Sequence, residues 1–236
     1  MLLVTACRPA MAPADALRLQ GELERAVAAD ELDHGGDEAP DKNVQAFLKR
    51  HGEEAVPLLE KLVTNAAETG ADDKSLEVKA AIKGLVLLRK GRARDVLERL
   101  AKSPKAEFEL SRAALNSLVQ IAPENERVTI LATRLREHRD DRDLQWTISD
   151  LMSLGRTDAV PHLQAIRPEV SDADMQAYID TAIRALADPS VCTVHQEIFR
   201  ETLRKWDCAY TCAGRTRTRL DVSEAPCPRT IPNQDP

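Results

Sequence analysis

One apolar spacing recurs through the middle of this chain and constrains its fold more than any other feature. Ala81, Ile82, Leu85 and Leu88 return 33 residues later as Ala114, Leu115, Leu118 and Ile121, and after a further 33 as Thr147, Ile148, Leu151 and Leu154. Within each set the offsets are 0, +1, +4 and +7, the positions that share one face of an α-helix. The register still holds at Ile183 and Leu186, with a step of 32. A second series runs out of phase with the first. It comprises Gly52 to Leu62, the apolar positions of Ala93 to Leu100, and Gly155 to Ile166. Two interleaved helical series predict a stack of helix pairs, because a unit of this length buries its apolar stripe only against its neighbours.

Punctuation agrees with that reading. Gly52, Gly91 and Gly155 each follow a periodic segment, where glycine takes the left-handed conformation that ends a helix. Ser103 reads as an N-cap, Pro104 and Pro123 as first-turn prolines, and Asp141 and Ser171 precede apolar runs. The predicted pairs are about 13–30 with 41–51, 53–68 with 74–90, 92–102 with 105–121, 124–138 with 141–154, and 157–167 with 172–187. Composition points the same way: 33 alanines stand against seven aromatic residues, and alanine is the strongest helix former while strands draw on aromatics.

The Gly-x-x-Ala-Val-Pro at 52–57, its one-residue-longer relative at 155–161 and the Arg-Ala-Ala-Leu at 112–115 resemble the HEAT-like repeats of the kind first described in bilin lyases. The resemblance covers roughly residues 40–187. It implies an all-α fold, a right-handed α-solenoid of about five helix pairs across residues 13–188, and a role in protein binding and scaffolding. Bilin attachment belongs to some members, so a lyase-like enzyme stays open as an alternative. In such stacks the second helix of each pair lines the concave side. The register aligns Lys79, Arg112 and Gln145, and likewise Lys83, Asn116 and Ser149. These six form two candidate polar ladders for a partner's extended acidic segment, although exposed polar residues on a helix face need no explanation beyond solvation.

Cysteine usage divides the chain. Cys192, Cys208, Cys212 and Cys227 all lie in the last 45 residues, and no cysteine lies between Cys7 and Cys192. An even cluster after a thiol-free body reads as a disulfide-stapled tail in an oxidising compartment, with three pairings open. A rival reading takes Cys192-x2-His195 with Cys208-x3-Cys212 as a zinc site in a cytosolic adaptor. Residues 189–236 are expected to hold a helix and a short hairpin, with Trp206 docking the tail on the last repeat. Arg215, Arg217 and Arg219 alternate along that hairpin and offer a contact for anions, or guard an edge strand.

At the other end, Val4-Thr5-Ala6-Cys7 resembles the lipobox of bacterial lipoproteins, and residues 8–12 resemble the tether that follows it. The resemblance implies a lipid on Cys7 and the periplasmic side of the cell envelope. Arg8 in place of a retaining Asp leans toward the outer membrane. Only six residues precede Cys7 and none is basic, so a complete signal peptide requires a charged start and a longer apolar core upstream.

Other classes are disfavoured. A net charge of −6 and few aromatics argue against nucleic-acid binding. No two of the five histidines at 34, 51, 138, 162 and 195 sit at His-x3-His spacing, and neither a phosphate loop nor a nucleophile elbow occurs. The expectation is therefore a non-enzymatic adaptor with no cofactor and no small-molecule substrate, its partner another envelope protein.

Overall fold

The computed structural model describes residues 12–33, 42–71, 74–89, 93–137, 140–201, 203–214 and 219–233. They belong to two compact units, residues 1–122 and 123–236. The first holds α1 (Pro13–Asp33), α2 (Lys42–His51), α3 (Val56–Thr69), α4 (Ser75–Arg89), α5 (Arg94–Lys102) and α6 (Phe108–Ile121). The second holds α7 (Glu124–Arg136), α8 (Asp141–Leu154), α9 (Val160–Ile166) and α10 (Ala173–Ala187), then four strands. Every helix predicted from the apolar spacing is present, with ends displaced by a few residues.

Packing follows chain order inside each unit. In the first, α1 lies on α2, α3 on α4 and α5 on α6, while α3 also packs on α5 and α4 on α6. In the second, α7 meets α8, α9 meets α10, and the odd and even helices again meet their own kind. The recurrent residues explain this arrangement. Ala81, Ile82, Leu85, Ala114, Leu115, Leu118, Thr147, Ile148 and Leu151 are all buried, and only the helix-end positions Leu88, Ile121 and Leu154 are half-buried. Thr147 occupies an apolar position at no polar cost because its hydroxyl donates to the Asp143 carbonyl at 2.8 Å.

The helix ends are built partly as predicted. Gly155 closes α8 in the left-handed conformation at φ 65°. The caps of α8 and α10 are Asp140 and Asp172, which accept from the Asp143 and Met175 amides at 2.8 and 2.7 Å. Each lies one residue from the predicted Asp141 and Ser171: Asp141 is already inside α8, and Ser171 stands one residue before the position whose side chain reaches the first free amides of α10. Ser103 caps no helix: α6 starts at Phe108, and the Ser103 hydroxyl donates to the Ala67 carbonyl of α3. For the same reason Pro104 lies outside the first turn. The start of α2 is capped from another helix. Asp30 of α1, 5% exposed, accepts from the Asn43 and Val44 amides at 2.9 Å each.

Residues 189–236 depart from the all-α expectation. They form β1 (Val191–Arg200), β2 (Lys205–Cys212), β3 (Arg219–Ser223) and β4 (Thr230–Pro232), an antiparallel sheet in the order β3-β2-β1-β4. The helix expected there is replaced by the β1–β2 hairpin; of the hairpin expected between Cys212 and Cys227, β3 is present but pairs with β2, which precedes that interval, and residues 215–218 lie outside the described residues. Alternation decides the outcome: Trp206, Cys208, Tyr210 and Cys212 fall on one face of β2 and pack together with Cys192, Val194, Cys227 and Ile231. Trp206 thus serves the core of the sheet, its ring 5.1 Å from that of Phe199, and is not a plug into the last helix pair.

Where the sheet meets α8, backbone touches backbone. The Gly214 amide donates to the Met152 carbonyl at 2.8 Å, and a Cβ on Gly155 would stand 2.8 Å from both the nitrogen and the Cα of Gly214. Gly155→Ala is therefore expected to cost about 2 kcal/mol, combining left-handed strain with overpacking that no rotamer change relieves. Urea unfolding that matches the parent chain would refute this contact.

Candidate functional site

The sulfur chemistry is settled by strand register. Cys192 and Cys212 face each other across β1 and β2 and form one disulfide, with Cα atoms 4.2 Å apart. Cys208, four residues before Cys212 on the same side of β2, is bonded to Cys227, which follows β3 in the chain, with Cα atoms 5.7 Å apart. Three of the four sulfur-bearing residues are at most 2% exposed. All four sulfurs are held in S–S bonds, so none is the thiolate that the zinc alternative requires. Two buried disulfides mark an oxidising, extracytoplasmic compartment. No described helix is long and apolar enough to cross a membrane.

The six ladder residues divide between the two units. In the first, α4 presents Lys83 exposed and Lys79 half-buried, while on the adjacent α6 Asn116 is exposed and Arg112 half-buried. In the second, α8 presents Gln145 exposed and Ser149 half-buried. Ser149 is turned to a structural use: its side chain hydrogen-bonds Tyr178 of α10, whose phenol is pushed above its ordinary range by burial. Trp146, 42% exposed, stands as a surface wall of α8. Cys7, Arg215 and Arg217 lie outside the described residues. Arg219 opens β3 with its backbone paired to Tyr210.

Concave features are shallow and their charges are neutralised locally. A groove of about 540 Å³ between α3 and α5 is lined by Thr64, Glu68, Asp95, Glu98 and Lys102 among others. There Lys102 donates to Glu98 at 2.7 Å and holds its carboxyl below the ordinary range. A smaller groove of about 340 Å³ lies beside α1, α3 and α4, with Gln20, Lys61 and Lys74 at its rim. Beside α1 and α2, His51 meets Glu22 at 2.8 Å, and this bond lowers the Glu22 pKa. Among the described residues no three metal-ligating side chains come together.

Several residues that shape these surfaces carried no local signal. Asp30 acts 13 residues from its partner Asn43. Arg134 and Asp143, each 8% or less exposed at the side chain, form a forked ion pair between α7 and α8, at 2.7 Å for Nη2–Oδ2 and 3.2 Å for Nε–Oδ1. Comparison with known proteins finds no family model, no curated protein and no solved structure that this chain matches.

Proposed function

We propose that this chain is a non-enzymatic docking protein of the bacterial cell envelope, anchored by a lipid on Cys7. In this reading it presents the second helices of its HEAT-like pairs, stacked as a right-handed solenoid, to another envelope protein. The observation that supports it is the order of packing within each unit. Even helices lie beside even helices, so polar positions that recur along the sequence also recur along a surface. Such stacked surfaces suit extended partners better than small molecules. The disulfides support the address, and Arg8 after Cys7 favours the outer membrane. Lys79 and Lys83 supply positive charge one helical turn apart on α4, which suits an acidic partner segment.

A photo-crosslinking amino acid at Asn116, in the full chain in its native envelope, tests this. A discrete adduct is expected, and Lys79→Glu with Lys83→Glu is expected to abolish it. An unchanged melting temperature of the double variant certifies that the loss of the adduct is not a loss of fold. Unreduced intact mass of the same preparation should show acyl mass on Cys7. Absence of the adduct, or an adduct indifferent to the charge reversal, removes the helical surface from the proposal.

A further inference from the structure

The sheet has an open side that the helical reading does not use. Among the described residues β3 pairs with β2 alone, so its second edge carries unpaired backbone groups. Their direction can be derived. The Val222 amide donates to the carboxylate of its neighbour Asp221 at 2.9 Å and so does not point into the β2 ladder. Strand donors alternate in direction, which turns the Leu220 amide outward as well. The side chains of Leu220 and Val222 share one face of the sheet and are 78% and 60% exposed; Ile198, level with Val222 through Asp207, adds a further half-exposed apolar group.

Native sheets protect such edges with lysine, proline or a bulge. The bulge of this sheet lies at His195 in β1, away from β3, and β3 reads Arg219-Leu220-Asp221-Val222-Ser223. Arg219 supplies a charge at its start, and along the strand the Asp221 carboxylate covers the Val222 amide, a bond that a stronger claim on the carboxylate would release. We infer that β3 is a strand-addition site for an extended protein segment of alternating pattern, with a basic residue opposite Asp221 and apolar residues opposite Leu220 and Val222. A cation facing Asp221 would draw its carboxylate off the Val222 amide and open that donor. The flanking apolar residues would extend the patch over Ile198. Backbone pairing supplies the attraction and the alternate side chains supply selectivity. This site does not depend on the helical surface proposed above.

The probe is the blocked peptide Thr-Val-Thr-Val-Lys-Val-Thr-Val-Thr, added to the oxidised full chain, with a second peptide carrying Glu in place of Lys. Saturable binding with a dissociation constant of about 1 mM or tighter is expected for the lysine peptide, with slowed amide exchange at Leu220 and Val222. Val222→Pro should weaken it at least tenfold. That change deletes a donor outside the β2 ladder, and proline is tolerated on such an edge. Asp221→Lys should reverse the preference between the two peptides. Intact disulfides and an unchanged melting temperature certify each variant. Absent binding, binding indifferent to Val222→Pro, or self-association through β3 without peptide uptake each overturns the inference.

Discussion

Arg134→Met is expected to lower the free energy of unfolding by about 3–5 kcal/mol, the cost of breaking a buried ion pair by removing one of its members. The fork to Asp143 joins the last turn of α7 to the first turn of α8, and neither side chain has more than 8% of its surface in water. The Asp143 main chain is fixed in that turn, its amide held by the Asp140 cap and its carbonyl by Thr147. The double variant Arg134→Met with Asp143→Leu should recover most of the loss, since apolar replacements of similar volume remove both desolvation penalties together. Urea denaturation of the parent, the two singles and the double closes the cycle. Additive losses in the double would show that packing, not charge, holds this corner.

Opening the disulfides should have the second large effect, and a local one. Cys192–Cys212 and Cys208–Cys227 span 20 and 19 residues, and closing loops of that size stabilises by about 3 kcal/mol each in the chain-entropy model. The two loops overlap, so the combined effect should fall short of the sum. The half-cystines are also most of the sheet's own core, with Tyr210 at their centre. Cys208→Ala with Cys227→Ala, or full reduction, is therefore expected to erase the near-ultraviolet signal of Trp206 while the helical far-ultraviolet signal persists. Simultaneous loss of both would mean that the helices of the second unit draw their stability from the sheet.

The helices were legible because their burial is periodic: each set such as Ala114, Leu115, Leu118 and Ile121 declares one face. Long-range polar contacts were not, because nothing near Asp30 announces Asn43 and nothing near Arg134 announces Asp143. The strands illustrate a different obstacle. In β2 the alternation Trp206, Cys208, Tyr210, Cys212 is complete, but in β1 the extra residue at His195 shifts the set on that face from Cys192 and Val194 to Glu197 and Phe199, both exposed. One bulge breaks a period-two pattern as surely as a turn would, and the stretch from Gln196 to Trp206 then reads as helix. Disulfide pairing had to await that register, since only facing strands distinguish Cys192–Cys212 from the other two choices. As for the six ladder positions, spacing located them on polar faces, yet Ser149 shows that a polar position can serve a neighbouring helix.

The overlap of the two disulfide loops also decides how this chain would survive cutting. Every peptide bond between Cys192 and Cys227 lies inside at least one closed loop. A protease that severs the β1–β2 turn or the connection before β3 releases nothing: the pieces stay joined through sulfur and migrate together until a reductant parts them. A cut among the helices has no such tie, and its pieces part as soon as their packing is lost. An enclosed sheet of this kind keeps its edge and its exposed side chains attached in surroundings rich in proteases, whereas the helical part must rely on folding alone for its protection.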